Sequence, residues 1–348
     1  MKWYNAAEAP FKVWGLPFFE TEHVYRRFSL QPPAPLPPSV EGLCNDPAGG
    51  QVRFRARFRT LWVRVTLGHE PGMSNMTPMG QCGIDCYLNR AGEEPIYAAT
   101  AKPKVRESFY EVPLLEMDEA DEYFITLNLP LYCPLKELEI GLDDDAAVSD
   151  GEDYPAGKIV VYGGSIDQGG CATRPGMAYT NILSRWMGRE FVNLGFSGNG
   201  KAEAEVALAV RQIPDIALFV INTAGNCPDA AWLAERMPRF LELFREVWPN
   251  VPILVWQLAD FARLRFRPKE AAVFEAKREV ERQTVRSRIA AGDRHISIAC
   301  MEYGDSFMGH DLSREVTVDG AHPSDLGFVY TAEKLCPLLT NLLNPQDK

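Results

Sequence analysis

Beyond about residue 157 the hydrophobic rhythm of this chain changes from strand after strand to strand alternating with helix. Apolar runs of strand length at 159–162, 191–194, 216–222 and 252–257 precede helix-like patterns at 177–187, 202–211, 230–247 and a long charged stretch at 269–291. Residues 295–299 read as a fifth strand before a final helix at 324–343. Strands joined by helical crossovers lie parallel and are buried on both faces, so these five units predict a doubly covered parallel sheet, an α/β fold.

The first half follows the other period. In 51–58 the residues Val52, Phe54, Ala56 and Phe58 alternate with Arg53, Arg55 and Arg57, the pattern of an antiparallel strand with one solvated face. Further strands are expected at 61–67, 84–88, 96–101, 109–112, 123–129 and 138–142, which together imply a β-sandwich or jelly roll. The proline-rich run 31–38 must be extended and reads as a strap across this β-domain, although its PxxP spacing also suits an SH3-type ligand. The loop 68–83 carries Met73, Met76 and Met79, spaced either to overhang a neighbouring site or simply to pack the loop. The acidic, Gly- and Pro-containing stretch at 143–157 reads as a connection. The expected division is a β-sandwich over 1–145, a linker over 146–157 and an α/β domain over 158–348.

A net charge of -11 argues against a nucleic-acid partner. The amino terminus lacks a charged-then-apolar leader and no apolar run approaches membrane-spanning length, so a cytoplasmic location without a membrane partner is expected. In a reducing compartment the eight cysteines should be buried free thiols. Cys82 and Cys86 flank Asp85 but lack companions at zinc-site spacing, so no metal is expected, and no cofactor.

The chemistry should gather where the parallel strands end. Just past those ends stand Gly163-Gly-Ser165, Gly195-Phe-Ser-Gly198-Asn-Gly200, Thr223-Ala-Gly225-Asn226 and, before the last helix, Asp319-Gly-Ala-His322-Pro323. Serine and glycine are also ordinary turn residues, so Ser165 alone proves little. Together the four segments hold a nucleophile, a glycine loop, an amide and an imidazole with its own carboxylate, the set that acyl transfer by serine requires. His322 would take the proton of Ser165, Asp319 would hold the other imidazole nitrogen, and the backbone N–H groups of Ser165 and Gly198 with the Asn226 amide would receive the oxyanion. The first segment is neither a Gly-x-Ser-x-Gly elbow nor a dinucleotide fingerprint, because Ser165 takes the middle glycine's place.

In these four blocks the sequence resembles the SGNH (GDSL-type) hydrolase superfamily, named for Ser, Gly, Asn and His. The segments 162–170, 174–179, 193–201 and 319–327 look like the subgroup with a β-sandwich in front, whose Gly-x-Asp-Leu-Tyr motif is seen here as Gly83-Ile84-Asp85-Cys86-Tyr87. The resemblance implies a flavodoxin-like catalytic domain and a serine esterase acting on carboxylic esters, with short acyl groups such as acetyl on a carbohydrate or other small polar alcohol as the expected class. Acyl transfer with the same triad and a non-catalytic carbohydrate-binding protein with a decayed site are the alternatives. Arg174, Gln257, Asp85 and Tyr87 are candidate substrate contacts, and the Arg-rich segment 263–267 could also reach substrate; homo-oligomerisation is left open. Three positions depart from the pattern. Gly164 replaces the Asp of the GDSL signature, which is not a triad member; Cys86 replaces Leu, a packing change; Cys227 follows Asn226 where many relatives carry Asp, leaving open what shapes the oxyanion loop.

Overall fold

The computed structural model describes residues 1–258, 262–301, 306–307, 310–311 and 315–344. The last four residues of the expected α/β span, 345–348, lie outside them. The first sheet contains β1 (Lys2–Asn5), β2 (Lys12–Trp14), β3 (Gln51–Leu67), β4 (Asp85–Asn89), β5 (Ile96–Thr100), β6 (Phe109–Asn128), β7 (Leu135–Leu142) and β8 (Ala147–Asp150). All pair antiparallel in one eight-stranded sheet, ordered β1-β7-β3-β6-β4-β5, with β2 and β8 also on β3. The runs at 51–58 and 61–67, expected as separate strands, are one strand bent at a bulge between Phe58 and Thr60. Buried positions switch there from even (Val52, Phe54, Ala56, Phe58) to odd (Leu61, Val63, Val65), so the extra residue returns both halves to one core. Asp143 satisfies the freed groups, accepting from the backbone N–H of Arg59 at 2.6 Å and Thr60 at 2.8 Å.

The helices are α1 (Phe19–Glu22), α2 (Pro38–Leu43), α3 (Pro78–Cys82), α4 (Ser165–Gln168), α5 (Tyr179–Met187), α6 (Ala204–Val210), α7 (Ala230–Arg245), α8 (Pro268–Ala290) and α9 (Asp325–Leu343). Five parallel strands, β9 (Lys158–Gly163), β10 (Phe191–Gly195), β11 (Ile216–Ile221), β12 (Ile253–Gln257) and β13 (Ile296–Cys300), form a second sheet ordered β10-β9-β11-β12-β13. One face packs on α6, α7 and α8 through Val206, Phe240, Phe244 and Val285; the other packs on α5 and α9 through Ile182, Phe328 and Leu335. The chain leaves β9 toward β10 on one side and returns to β11 on the other, so the crevice beyond the carboxyl end of β9 is the switch point where such sheets bind ligands.

Three expectations need correction. The strap after the first short helix lies on the α/β half, because Phe28, Leu36, Val40 and Cys44 join the core of Val160, Tyr162 and Phe196, with Phe28 stacked on Phe196. The stretch expected as linker is partly β8, paired with Phe54 to Arg57 at the edge β3 leaves open. Cys82 and Cys133 are not free thiols but a disulfide, their Cα atoms 5.3 Å apart where the 131–133 segment meets the end of α3. Among the described residues no helix is long and apolar enough to cross a membrane.

Candidate active site

Strand β9 ends at Gly163, Gly164 continues extended, and Ser165 opens α4. A side chain on either glycine would force a neighbour to move: a Cβ on Gly163 would stand 2.1 Å from Asp167 Oδ2, and one on Gly164 1.9 Å from Asn226 Nδ2. Buried Asp167 holds the turn, accepting from Gly164 N–H at 2.8 Å, Tyr179 O–H at 2.6 Å and the Asn222 amide at 3.1 Å. Burial pushes the Asp167 carboxyl up to about 6 against the pull of these donors.

Ser165 Oγ lies 2.8 Å from His322 Nε2, and His322 Nδ1 lies 2.8 Å from Asp319 Oδ2. The hairpin-like loop before α9 delivers both groups, closed by Val318 N–H to His322 O at 2.8 Å and turned at Gly320, whose φ is 84°. Asp319 Oδ1 also accepts the backbone N–H of Ala321 at 3.1 Å and of His322 at 2.8 Å, and Asn75 Nδ2 reaches Oδ2 at 3.1 Å. Partial burial raises the Asp319 carboxyl, but the His322 N–H, the Asn75 amide and the His322 ring outweigh it and hold Asp319 well below the usual carboxylate range. Asp319 is therefore an anion wherever the protein is folded and working, suited to orient His322 and to stabilise it when protonated.

Ser165 and His322 line a cavity of about 330 Å³ together with Gly198, Asn226, Asn222 and Arg263. Gly198 has φ 68°, which turns the β10 loop toward the cavity. The Asn226 amide donates one hydrogen to Asn199 O, leaving its second for the cavity. What shapes this loop is helix α8. Buried Glu281 accepts from Thr223 O–H at 2.9 Å and Ala224 N–H at 3.1 Å, and Lys277 Nζ donates to Cys227 O at 2.9 Å.

A serine hydroxyl bonded to a histidine that is itself bonded to a carboxylate, at the edge of a concave cavity, is an arrangement suited to a hydrolase, and comparison with known proteins agrees with that class. Residues 156–340 match the model of the GDSL-like lipase/acylhydrolase family, and residues 1–148 match that of the GxDLY N-terminus of SGNH-type esterases. The chain belongs to the GDSL-like lipase/acylhydrolase family. It is similar over 98% of both chains to a protein described as a GDSL-like lipase from Bacteroides ovatus, at 32% identity and TM-score 0.89. The fold is also that of SsfX3, a salicylyl-acyltransferase from a tetracycline biosynthetic pathway (18% identity, 98% and 97% of the chains, TM-score 0.74), and of a family two carbohydrate esterase from Cellvibrio japonicus (13%, 99% and 98%, TM-score 0.61). A comparison with curated protein sequences found no match.

In this GDSL-like hydrolase Ser165, His322, Asp319, Gly198 and Asn226 converge on one cavity or its wall, whereas four other candidates do not. Gln257 is 2% exposed and its amide donates to Glu281 and the Arg278 carbonyl, inside the scaffold under the 223–227 loop. Asp85, Tyr87 and Arg174 meet each other instead: Arg174 donates to Asp85 at 2.8 Å and Tyr87 O–H at 2.6 Å, fastening β4 to the segment before α5. Burial pairs them because a desolvated carboxylate needs donors. Sequence reading missed Asn75, Tyr132, Lys277 and Glu281. The Tyr132 hydroxyl donates to Ser165 O at 3.1 Å, so the first half of the chain touches both ends of the relay. None of these four sits in a recognisable motif; each becomes visible only through what the fold sets beside it.

Proposed function

We propose that this GDSL-like hydrolase is a serine esterase that removes short acyl groups such as acetyl from a carbohydrate or other small polar alcohol. In that reading 158–348 is the catalytic unit and 1–145 supports it. The observation that carries it is the unbroken relay from Ser165 through His322 to Asp319, with both links at 2.8 Å. His322 removes the serine proton as Oγ attacks the ester carbonyl. The tetrahedral oxyanion turns toward the Ser165 and Gly198 N–H groups and the Asn226 amide, each such donor typically supplying about 3 to 4 kcal/mol. His322 then protonates the leaving alcohol, and water repeats the sequence on the acyl-enzyme.

The substrate class is supported by the cavity, whose modest size and mixed lining, with Ser197, Asn222 and Arg263 beside Ile166 and Leu258, suit a small acyl group on a hydroxylated alcohol. Carbohydrate esterases of family two share the fold, one from Clostridium thermocellum solved with cellohexaose. Acyl transfer to an alcohol other than water uses the same residues and is supported by the full-length likeness to SsfX3. Decay to a binding module is opposed by the intact relay.

The test is hydrolysis of nitrophenyl esters of increasing chain length by wild type, Ser165→Ala and His322→Ala. Activity should fall with acyl length, and either variant should lose about 10⁴-fold or more in kcat. Adding candidate alcohols and following product partition separates transfer from hydrolysis. A Ser165→Ala protein as active as wild type would end this reading.

A further inference from the structure

We infer that Asn75, from the loop joining β3 to β4 in the first sheet, is a positioning residue of the catalytic relay, so that the N-terminal half completes the active site. The inference rests on the serine-hydrolase reading of Ser165, His322 and Asp319. Asp319 Oδ2 accepts from His322 Nδ1 at 2.8 Å and from Asn75 Nδ2 at 3.1 Å, while Oδ1 takes two backbone N–H groups. An ionised carboxylate offers about four acceptor sites, so with Asn75 in place all are used and the carboxylate plane cannot turn. A fixed carboxylate fixes the imidazole, whose Nε2 must stay on Ser165 Oγ. Only the NH₂ end of the amide can face Asp319, since its oxygen would be repelled there.

Position 75 is itself held independently of the relay. Its carbonyl accepts from Cys171 Sγ at 3.2 Å, just beyond the nucleophile helix. On the other side buried Gln81 stitches the loop, accepting from Gly72 and Met73 N–H at 2.9 Å each and donating to the Met73 and Met76 carbonyls. Asn75 thus joins three loops: the nucleophile's, the acid–base pair's and its own. A water at the same place could make the same bond but would exchange; an amide on a stitched loop stays.

The experiment measures pH profiles of nitrophenyl acetate hydrolysis and melting temperatures for wild type, Asn75→Ala, Asn75→Asp and Ser165→Ala. Asn75→Ala should lose about tenfold in kcat, the worth of a hydrogen bond to a charged group, with KM within about twofold and the melting temperature unchanged. Asn75→Asp sets a second carboxylate beside Asp319, which favours a protonated His322, so the acid limb of kcat/KM should move up by about one pH unit, with Asn75→Ala between it and wild type. A loop that only packs would lower the melting temperature without moving that limb. Wild-type kcat and acid limb in both Asn75 variants, with Ser165→Ala inactive, would overturn the role of Asn75 and leave the hydrolase reading standing. An active Ser165→Ala would overturn both.

Discussion

Position 164 shows how one missing side chain organises a site. At the sequence level Gly164 is a lost aspartate of the GDSL signature; in the structure its empty space is occupied by the Asn226 amide, 1.9 Å from where a Cβ would be. That amide is also tied to Asn199 O. Gly164→Ala should therefore displace Asn226 from the cavity and lower kcat by about 100- to 1,000-fold, the cost of one oxyanion donor, with a smaller effect on KM. Steady-state kinetics checks this, and a wild-type kcat would show that Asn226 does not serve the oxyanion. The Ser165–His322–Asp319 chain itself was legible in the sequence because the proposed acyl transfer restricts the residue types, and the parallel strands restrict where they can emerge.

Helix α8 supports the site without lining it. Its sequence reads as a long charged helix, and Lys277, Arg278 and Glu281 are buried where it crosses beneath the 223–227 loop. Burial raises the Glu281 carboxyl, opposed by the Gln257 amide, the Thr223 hydroxyl and the Ala224 N–H that it receives. These partners come from two different strand ends, so Glu281 joins β11 to β12 at the rim. Glu281→Ala leaves three buried donors unsatisfied, and each costs about 1–3 kcal/mol. The variant should melt several degrees lower and lose at least tenfold in kcat as Asn226 loosens. A lower melting temperature with wild-type kcat would mean that the loop holds its shape without α8. Alternation and length locate a helix in sequence, but which charged face is covered depends on what packs against it.

Across the whole molecule the two halves are joined by a continuous run of hydrogen bonds. Ser184 and Tyr154 lead to Gln51, then Asn128, then Asp85, and from Asp85 to Arg174 and Gly176. Asp85 is fully buried at the centre, which gives the aspartate of the GxDLY motif a structural meaning. Asp85→Ala strands the Arg174 charge and should cost about 3–5 kcal/mol, read as a lower melting temperature and faster proteolysis between the halves. A melting temperature within a degree of wild type would show that the seam is held elsewhere.

Period and position alone were enough to place the parallel sheet, Ser165 at its switch point and the Asp319–His322 pair before the last helix, because strand spacing, helix spacing and the residue types of the motifs are each restricted locally. They could not show that Asn75 would meet Asp319 across 244 residues, that the proline-rich strap would cover the α/β half, or that Cys82 and Cys133 would pair. Those contacts carry no local signature. They exist because burying several apolar cores in one molecule brings distant polar groups together, and each group removed from water must then find a partner.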